Sequence, residues 1–109
     1  MPKRGSIILV PFPFTDLSGS KVRPALVISK SLSGEDVIVV FISSKKPAKK
    51  FVTDVPIQPS RDNGLKTESV IVCSKIATLD KKVILGELGV ITSGIQKEVD
   101  KKLCVVLSI

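Results

Sequence analysis

Arg23 is the residue of this sequence best equipped to handle a phosphodiester. Pro24 follows it, and a proline bars the helical region to its predecessor, so the Arg23 backbone is held extended at the start of a strand. A guanidinium keeps its proton under ordinary conditions and offers a planar fork of donors that matches phosphate oxygens. Arg23 can therefore grip a phosphodiester and stabilise charge that builds on it; the competing reading is a surface arginine shielding a strand end. Ser43 and Ser44 close the apolar run 37–42 and add hydroxyls that can bond a non-bridging phosphate oxygen, although many strands simply end in serine. Lys45, Lys46, Lys49 and Lys50 follow at once, enough cations to track a nucleic-acid strand or to solvate a loop. Of the four aromatics, Phe41 lies within an apolar run and reads as core. Phe14, flanked by polar residues, can either stack on a base or pack inward.

What is missing excludes more. The chain has no histidine, which rules out a Ser-His-Asp triad, a Cys-His pair and a two-histidine ribonuclease site. Cys73 and Cys104 have no histidine to complete a tetrahedral zinc set, and both sit in apolar runs. They read as buried free thiols acting as small hydrophobes. No metal or cofactor is expected. Lysine and arginine number 17 against 10 acidic residues, a net charge of +7. That balance favours an anionic partner, with a lysine-rich solvating surface as the bland alternative.

These groups must be positioned by a small fold. With 109 residues, of which 43% are apolar, the chain has the content of one ordinary domain spanning residues 1–109 and not that of a disordered segment. The longest apolar runs, 7–14 and 37–42, fall far short of the roughly 20 residues of a membrane helix. The first residues lack the pattern of a secretory signal, so the cytoplasm is the expected compartment and no membrane partner is expected.

A β-branched run at residues 6–10 reads as a first strand stopped by Pro11 and Pro13. The loop 12–22 that follows carries Thr15, Asp16 and several small residues, and a loop of that length in a small domain is more often functional than idle. Residues 24–29 and 37–42 form a hairpin around the turn 31–36. Residues 51–57, with Pro56 inside, have an edge-strand signature. Asn63-Gly64 marks a turn, 69–73 a buried strand, and 80–82 another turn. Residues 83–90 are extended, with Gly86 and Gly89 at bulge or close-approach positions. Ser93-Gly94-Ile95-Gln96 fits a capping box, and Ile95, Val99, Leu103 and Val106 then form one apolar stripe on a final helix. The sum is a mainly β fold of the α+β kind: a strongly curved antiparallel sheet or partly open barrel with a C-terminal helix.

Residues 5–10, then PFPFTDLSGSKVRPALVIS at 11–29, VIVVFISS at 37–44 and KIATLDKK at 75–82 resemble the MazF/PemK family of toxin ribonucleases from type II toxin-antitoxin systems. The K-x-R-P-A-L-V-I-S block is the best marker. The resemblance implies an SH3-like barrel of the CcdB/MazF/PemK kind with an appended helix, and a homodimer. It also implies metal-independent cleavage of single-stranded RNA at short motifs, with neutralisation by a cognate antitoxin and contact with DNA only through that antitoxin. The family's cleavage centre, an arginine of the R-P motif and a hydroxyl ending the next hydrophobic strand, maps onto Arg23 and Ser43. The further candidates for contact with RNA are Phe14, Thr15, Asp16 and Lys21 before or beside Arg23, and Ser44, Lys45 and Lys75 beyond Ser43.

Two departures stand out. The family more often has threonine where Ser43 stands, and serine keeps the hydroxyl without the methyl that fixes its rotamer. Val72, Ser74 and Ala77 occupy a strand that often carries an acid or an arginine, so schemes that draw on that strand do not transfer and Asp16 is the nearby acidic candidate by loop analogy. Two other classes share the fold: a CcdB-like gyrase poison acting by protein contact, and a family member that binds RNA or antitoxin without cutting. The R-P block with its following hydroxyl favours the nuclease.

Overall fold

The computed structural model describes residues 2–12, 21–30, 34–44 and 51–109. Its elements are β1 (Ser6–Phe12), β2 (Lys21–Val27), β3 (Asp36–Ser43), β4 (Asp54–Ile57), β5 (Ser69–Asp80), β6 (Gly86–Val90) and α1 (Ser93–Leu107), with a short 3-10 turn at Lys81–Val83. The strands form one curled antiparallel sheet in the order β4-β5-β3-β2-β1-β6, the half-barrel with a C-terminal helix that the sequence implies.

The alternation of side chains along each strand divides the core in two. Ile7, Leu26, Val40, Ile42, Val55 and Ile71 point to one face, where Val99 and Leu103 of α1 cover them. Ile8, Val10, Ala25, Val27, Val39 and Phe41 point to the other, against Ala77 and Leu79 of β5. Phe41 is therefore core, as its setting in the sequence indicates. β5 serves both clusters because its register on β3 slips by three residues: Phe41 pairs with Val72, but Val40 pairs with Ile76. Residues 73–75 form the bulge that bends the strand.

Several boundaries differ from the sequence reading for identifiable reasons. β1 does not stop at Pro11; it runs through Pro11, opposite Val22, to Phe12, opposite Lys21. β6 pairs with β1 only as far as Leu9, so Pro11 lies where one edge of β1 is free and a missing N–H is harmless. β2 correspondingly begins at Lys21 and ends at Val27, so Arg23 is inside the strand and not at its start. β4 is an edge strand, but only from Asp54 to Ile57. The buried Asp54 accepts the Phe51 N–H through Oδ2 at 3.1 Å, while its own N–H donates to the Phe51 carbonyl, which makes a turn of what alternation suggested was extended. The strand expected at residues 69–73 continues through the bulge to Asp80.

Near the C-terminus, Gly86 has open space around it, whereas a Cβ on Gly89 would sit 2.0 Å from the Asp62 carbonyl oxygen. Only Gly89 is a close-approach position, and it adjoins the bulge at which Leu88 is the extra residue against Ile7 and Ile8. The helix is capped by Thr92, whose Oγ1 accepts from Ile95 N, and not by Ser93. Gln96 then stands too far along to reach back, and its side chain donates to Asp100 one turn on. Among the described residues no helix is long and apolar enough to cross a membrane.

Candidate nucleic-acid interface

β2 and β3 are hydrogen-bonded from Val27–Val39 to Ala25–Phe41, and there the ladder stops. Continuing that register by one alternation places Arg23 opposite Ser43. Because residues two apart on a strand share a face, both belong to the face of Ala25, Val27, Val39 and Phe41. Their other neighbours fix the same placement. Arg23 pairs with buried Val10 on β1, and Ser43 pairs with Val70 on β5. Fully packed strands thus hold both backbones while the side chains are only half-buried. Pro24 lacks an N–H and lies just past the last rung shared with β3, which accounts for the opening of the ladder at this point.

Among the described residues no carboxylate pairs with Arg23. The arginine that is paired is Arg4, which bonds Asp100 of α1 and the Ile28 carbonyl and so ties the start of the chain to helix and sheet. Lys21 lies two residues before Arg23 at the exposed end of the β1–β2 hairpin, on the same face of β2. Lys75 is exposed and stands in the β5 bulge, between the Phe41 and Val40 rungs and thus beyond the rung of Ser43. The structure therefore groups Lys21, Arg23 and Ser43 at one end of one face and sets Lys75 along the adjacent strand. Ser44 is exposed and, one residue on from Ser43, belongs to the opposite face. Phe14, Thr15, Asp16 and Lys45, with the rest of the lysine run at 45–50, lie outside the described residues.

The opposite face carries a feature that no reading of the sequence located. A cleft of about 280 Å³ is lined by Leu9, Pro24, Ser44, Leu65, Lys66, Thr67 and Leu88, among others. Its floor depends on the turn at 58–65. Buried Asn63 accepts from the N–H groups of Ser60 and Leu65 and donates to the Gln58 carbonyl. Gly64 has φ +70 and approaches Leu88 so closely that a Cβ would lie 2.3 Å from the Leu88 carbonyl oxygen. The Asn63-Gly64 pair signalled a turn, but only the fold brings that turn against β6 and beside the ends of β2 and β3.

The cysteines part company. Cys73 is fully buried, and burial, aided by the Asp54 carboxylate and opposed by Lys102, pushes its thiol up to about 11. Cys104, expected to be buried as well, is exposed. It lies next to the Val99 and Leu103 stripe of α1 but one residue off it, and on a helix one residue is about 100° of rotation.

Comparison with known proteins places the chain in a family. Residues 3–107 match the model for PemK-like, MazF-like toxins of type II toxin-antitoxin systems, and the chain belongs to that family. Similar solved structures include an endoribonuclease in complex with its cognate antitoxin from a mycobacterial species. It is 25% identical with a TM-score of 0.78, over 100% of this chain and 97% of that one. A MazE-MazF structure from Deinococcus radiodurans has 22% identity and a TM-score of 0.78, covering 99% of this chain and 97% of its counterpart. The toxin MazF-mt6 of Mycobacterium tuberculosis has 18% identity and a TM-score of 0.76, covering 95% and 97% respectively. No curated protein sequence gives a significant match.

Proposed function

We propose that this protein is a toxin endoribonuclease that cuts single-stranded RNA without a metal ion, with Arg23 and Ser43 at the scissile phosphate. The observation that carries the reading is the juxtaposition, on one face and at the point where the β2–β3 ladder opens, of a strand-end hydroxyl and an arginine that pairs with no carboxylate among the described residues. Family membership and the similarity to an endoribonuclease bound to its antitoxin support it.

The chemistry asks little of the protein. The RNA 2′-oxygen attacks phosphorus in line, the bond to the 5′-oxygen breaks, the 2′-hydroxyl gives up its proton and the departing oxygen takes one. The products are a 2′,3′-cyclic phosphate and a 5′-hydroxyl. Charge concentrates on the non-bridging oxygens, where the Arg23 fork and the Ser43 hydroxyl donate hydrogen bonds that strengthen as the phosphorane forms. Lys21 and Lys75, with the lysine run at 45–50, hold flanking phosphates. A sequence without histidine is no obstacle to such a mechanism, because the substrate supplies its own nucleophile.

The same basic groups suit a cognate antitoxin with an acidic segment that competes with RNA, and a homodimer in which each chain brings one such centre. Contact with DNA would come through the antitoxin, and the setting would be the cytoplasm. The decisive experiment is incubation with a long single-stranded RNA in the presence of a chelator, followed by mapping of both new ends. Cleavage leaving cyclic phosphate and 5′-hydroxyl ends, and abolished by deoxyribose at the cleaved nucleotide, is the expected result. Intact RNA would turn the reading to a family member that binds without cutting.

A further inference from the structure

We propose that the cleft between Pro24, Ser44, Leu65 and Leu88 is a nucleobase pocket that receives one base of the RNA flanking the phosphate held by Arg23 and Ser43; this rests on the function proposed above. Position is the first argument. Pro24 is bonded to Arg23 and Ser44 to Ser43, so the two residues that would hold the phosphate and the two that line the cleft are consecutive in both strands and point to opposite faces. The last rung of the β2–β3 ladder is Ala25–Phe41, one residue short of Pro24, and Pro24 has no N–H to give, so among the described residues no rung joins those strands beyond that point. A nucleotide next to the scissile phosphate can turn around that open end.

Size and chemistry are the second argument. About 280 Å³ lies just below the range of pockets that take drug-sized molecules, and suits a single flat ring system. Leu9, Pro24, Leu65 and Leu88 supply apolar walls for the faces of such a ring. Ser44 and Thr67 bring hydroxyls that can donate or accept toward its edge, and exposed Lys66 brings a cation for the phosphate attached to it. An apolar peptide side chain would use the walls but leave the hydroxyls and the lysine idle.

Rigidity is the third. The Ser69 hydroxyl, itself buried, donates to the Thr67 carbonyl at 2.9 Å, and the Asn63 network with the close Gly64–Leu88 approach fixes the floor. A cleft held this firmly loses little freedom on accepting a ligand.

The test uses the full-length protein and a short synthetic RNA spanning a mapped cleavage site, with each flanking base in turn removed to leave an abasic sugar. For the wild type, one abasic position should lower kcat/KM on the order of 5- to 100-fold. Thr67→Trp, which fills the cleft from its exposed rim, should impose a similar loss on intact RNA and none on the RNA abasic at that position. Thr67→Leu does the same with less bulk should the tryptophan variant fail to fold. Variants that cut intact RNA at the wild-type rate, or that lose equally on intact and abasic RNA, overturn the pocket while leaving the nuclease standing. The same holds if they cut normally and lose only antitoxin affinity, which would make the cleft a peptide site. A wild type that leaves every RNA uncut removes both proposals together.

Discussion

The β2–β3 pair changes character within two residues. From Val27–Val39 to Ala25–Phe41 it is laddered and buried on both faces, with Leu26 and Val40 under α1 and Val27 and Val39 against the far part of β5. One alternation further on stand Arg23 and Ser43, half-buried and off the ladder. The packed end gains its free energy from apolar burial, roughly 1.5–3 kcal/mol for a side chain such as Leu26. The open end gains none of that, and keeps polar groups directed by a backbone that the packed end immobilises. On the function proposed above, stability and cleavage fall to adjacent rungs of the same strands, and substitutions at the two ends should have separable effects.

The largest separation is expected for Arg23→Ala. Cleavage of single-stranded RNA should slow on the order of 10²- to 10³-fold, by analogy with loss of one donor to a developing oxyanion, while the thermal midpoint stays near that of the wild type. Turnover at the wild-type rate would detach function from the open end. Leu26→Ala is the mirror experiment: it should lower unfolding free energy by about 2–5 kcal/mol in a denaturant titration and leave turnover of the remaining folded protein nearly unchanged. A small stability loss with a large activity loss would show that the two ends are not independent.

The cysteines sharpen the comparison by a different route. At pH 8 a disulfide-exchange reagent should consume Cys104 at once and Cys73 only after denaturant is added, because burial raises the Cys73 thiol to about 11. The neutral Cys73 thiol adds stability that is fully present below its ordinary value of 9.0 and is lost as pH rises through about 11. The difference in stability between wild type and Cys73→Ala should therefore shrink across that interval; a constant difference would contradict the buried, neutral thiol. The smallest effect belongs to the helix that roofs the packed end. Thr92→Ala should cost about 1 kcal/mol through loss of the cap to Ile95, and Ser93→Ala almost nothing. The opposite ranking would restore Ser93 as the cap.

Much of this is legible in the amino-acid sequence. Apolar runs at 37–42 and 69–73, the edge character of β4, the stripe Ile95, Val99, Leu103 and Val106, and the turn at Asn63-Gly64 are local patterns, and local patterns survive into the fold because each strand or helix has one face to bury. Arg23 and Ser43 were legible as candidates because proline and the end of an apolar run constrain the backbone at those positions. Contacts between distant segments were not. Pro11 stays in β1 because β6 stops pairing at Leu9; residues 51–53 turn because the Asp54 carboxylate finds the Phe51 N–H; Cys104 faces solvent because of where α1 comes to rest.

By itself, then, the sequence determined the kinds of element, their order, the basic character and the residue types available for chemistry, since these follow from periodicity, charge and side-chain chemistry within a few residues. Tertiary structure alone decided the β2–β3 register whose continuation sets Arg23 opposite Ser43, that β5 bends at residues 73–75, and that the turn at 58–65 walls a cleft beside Pro24 and Ser44. Register and packing between segments far apart in the chain set those relations, and a local pattern carries no record of which distant partner will bury it.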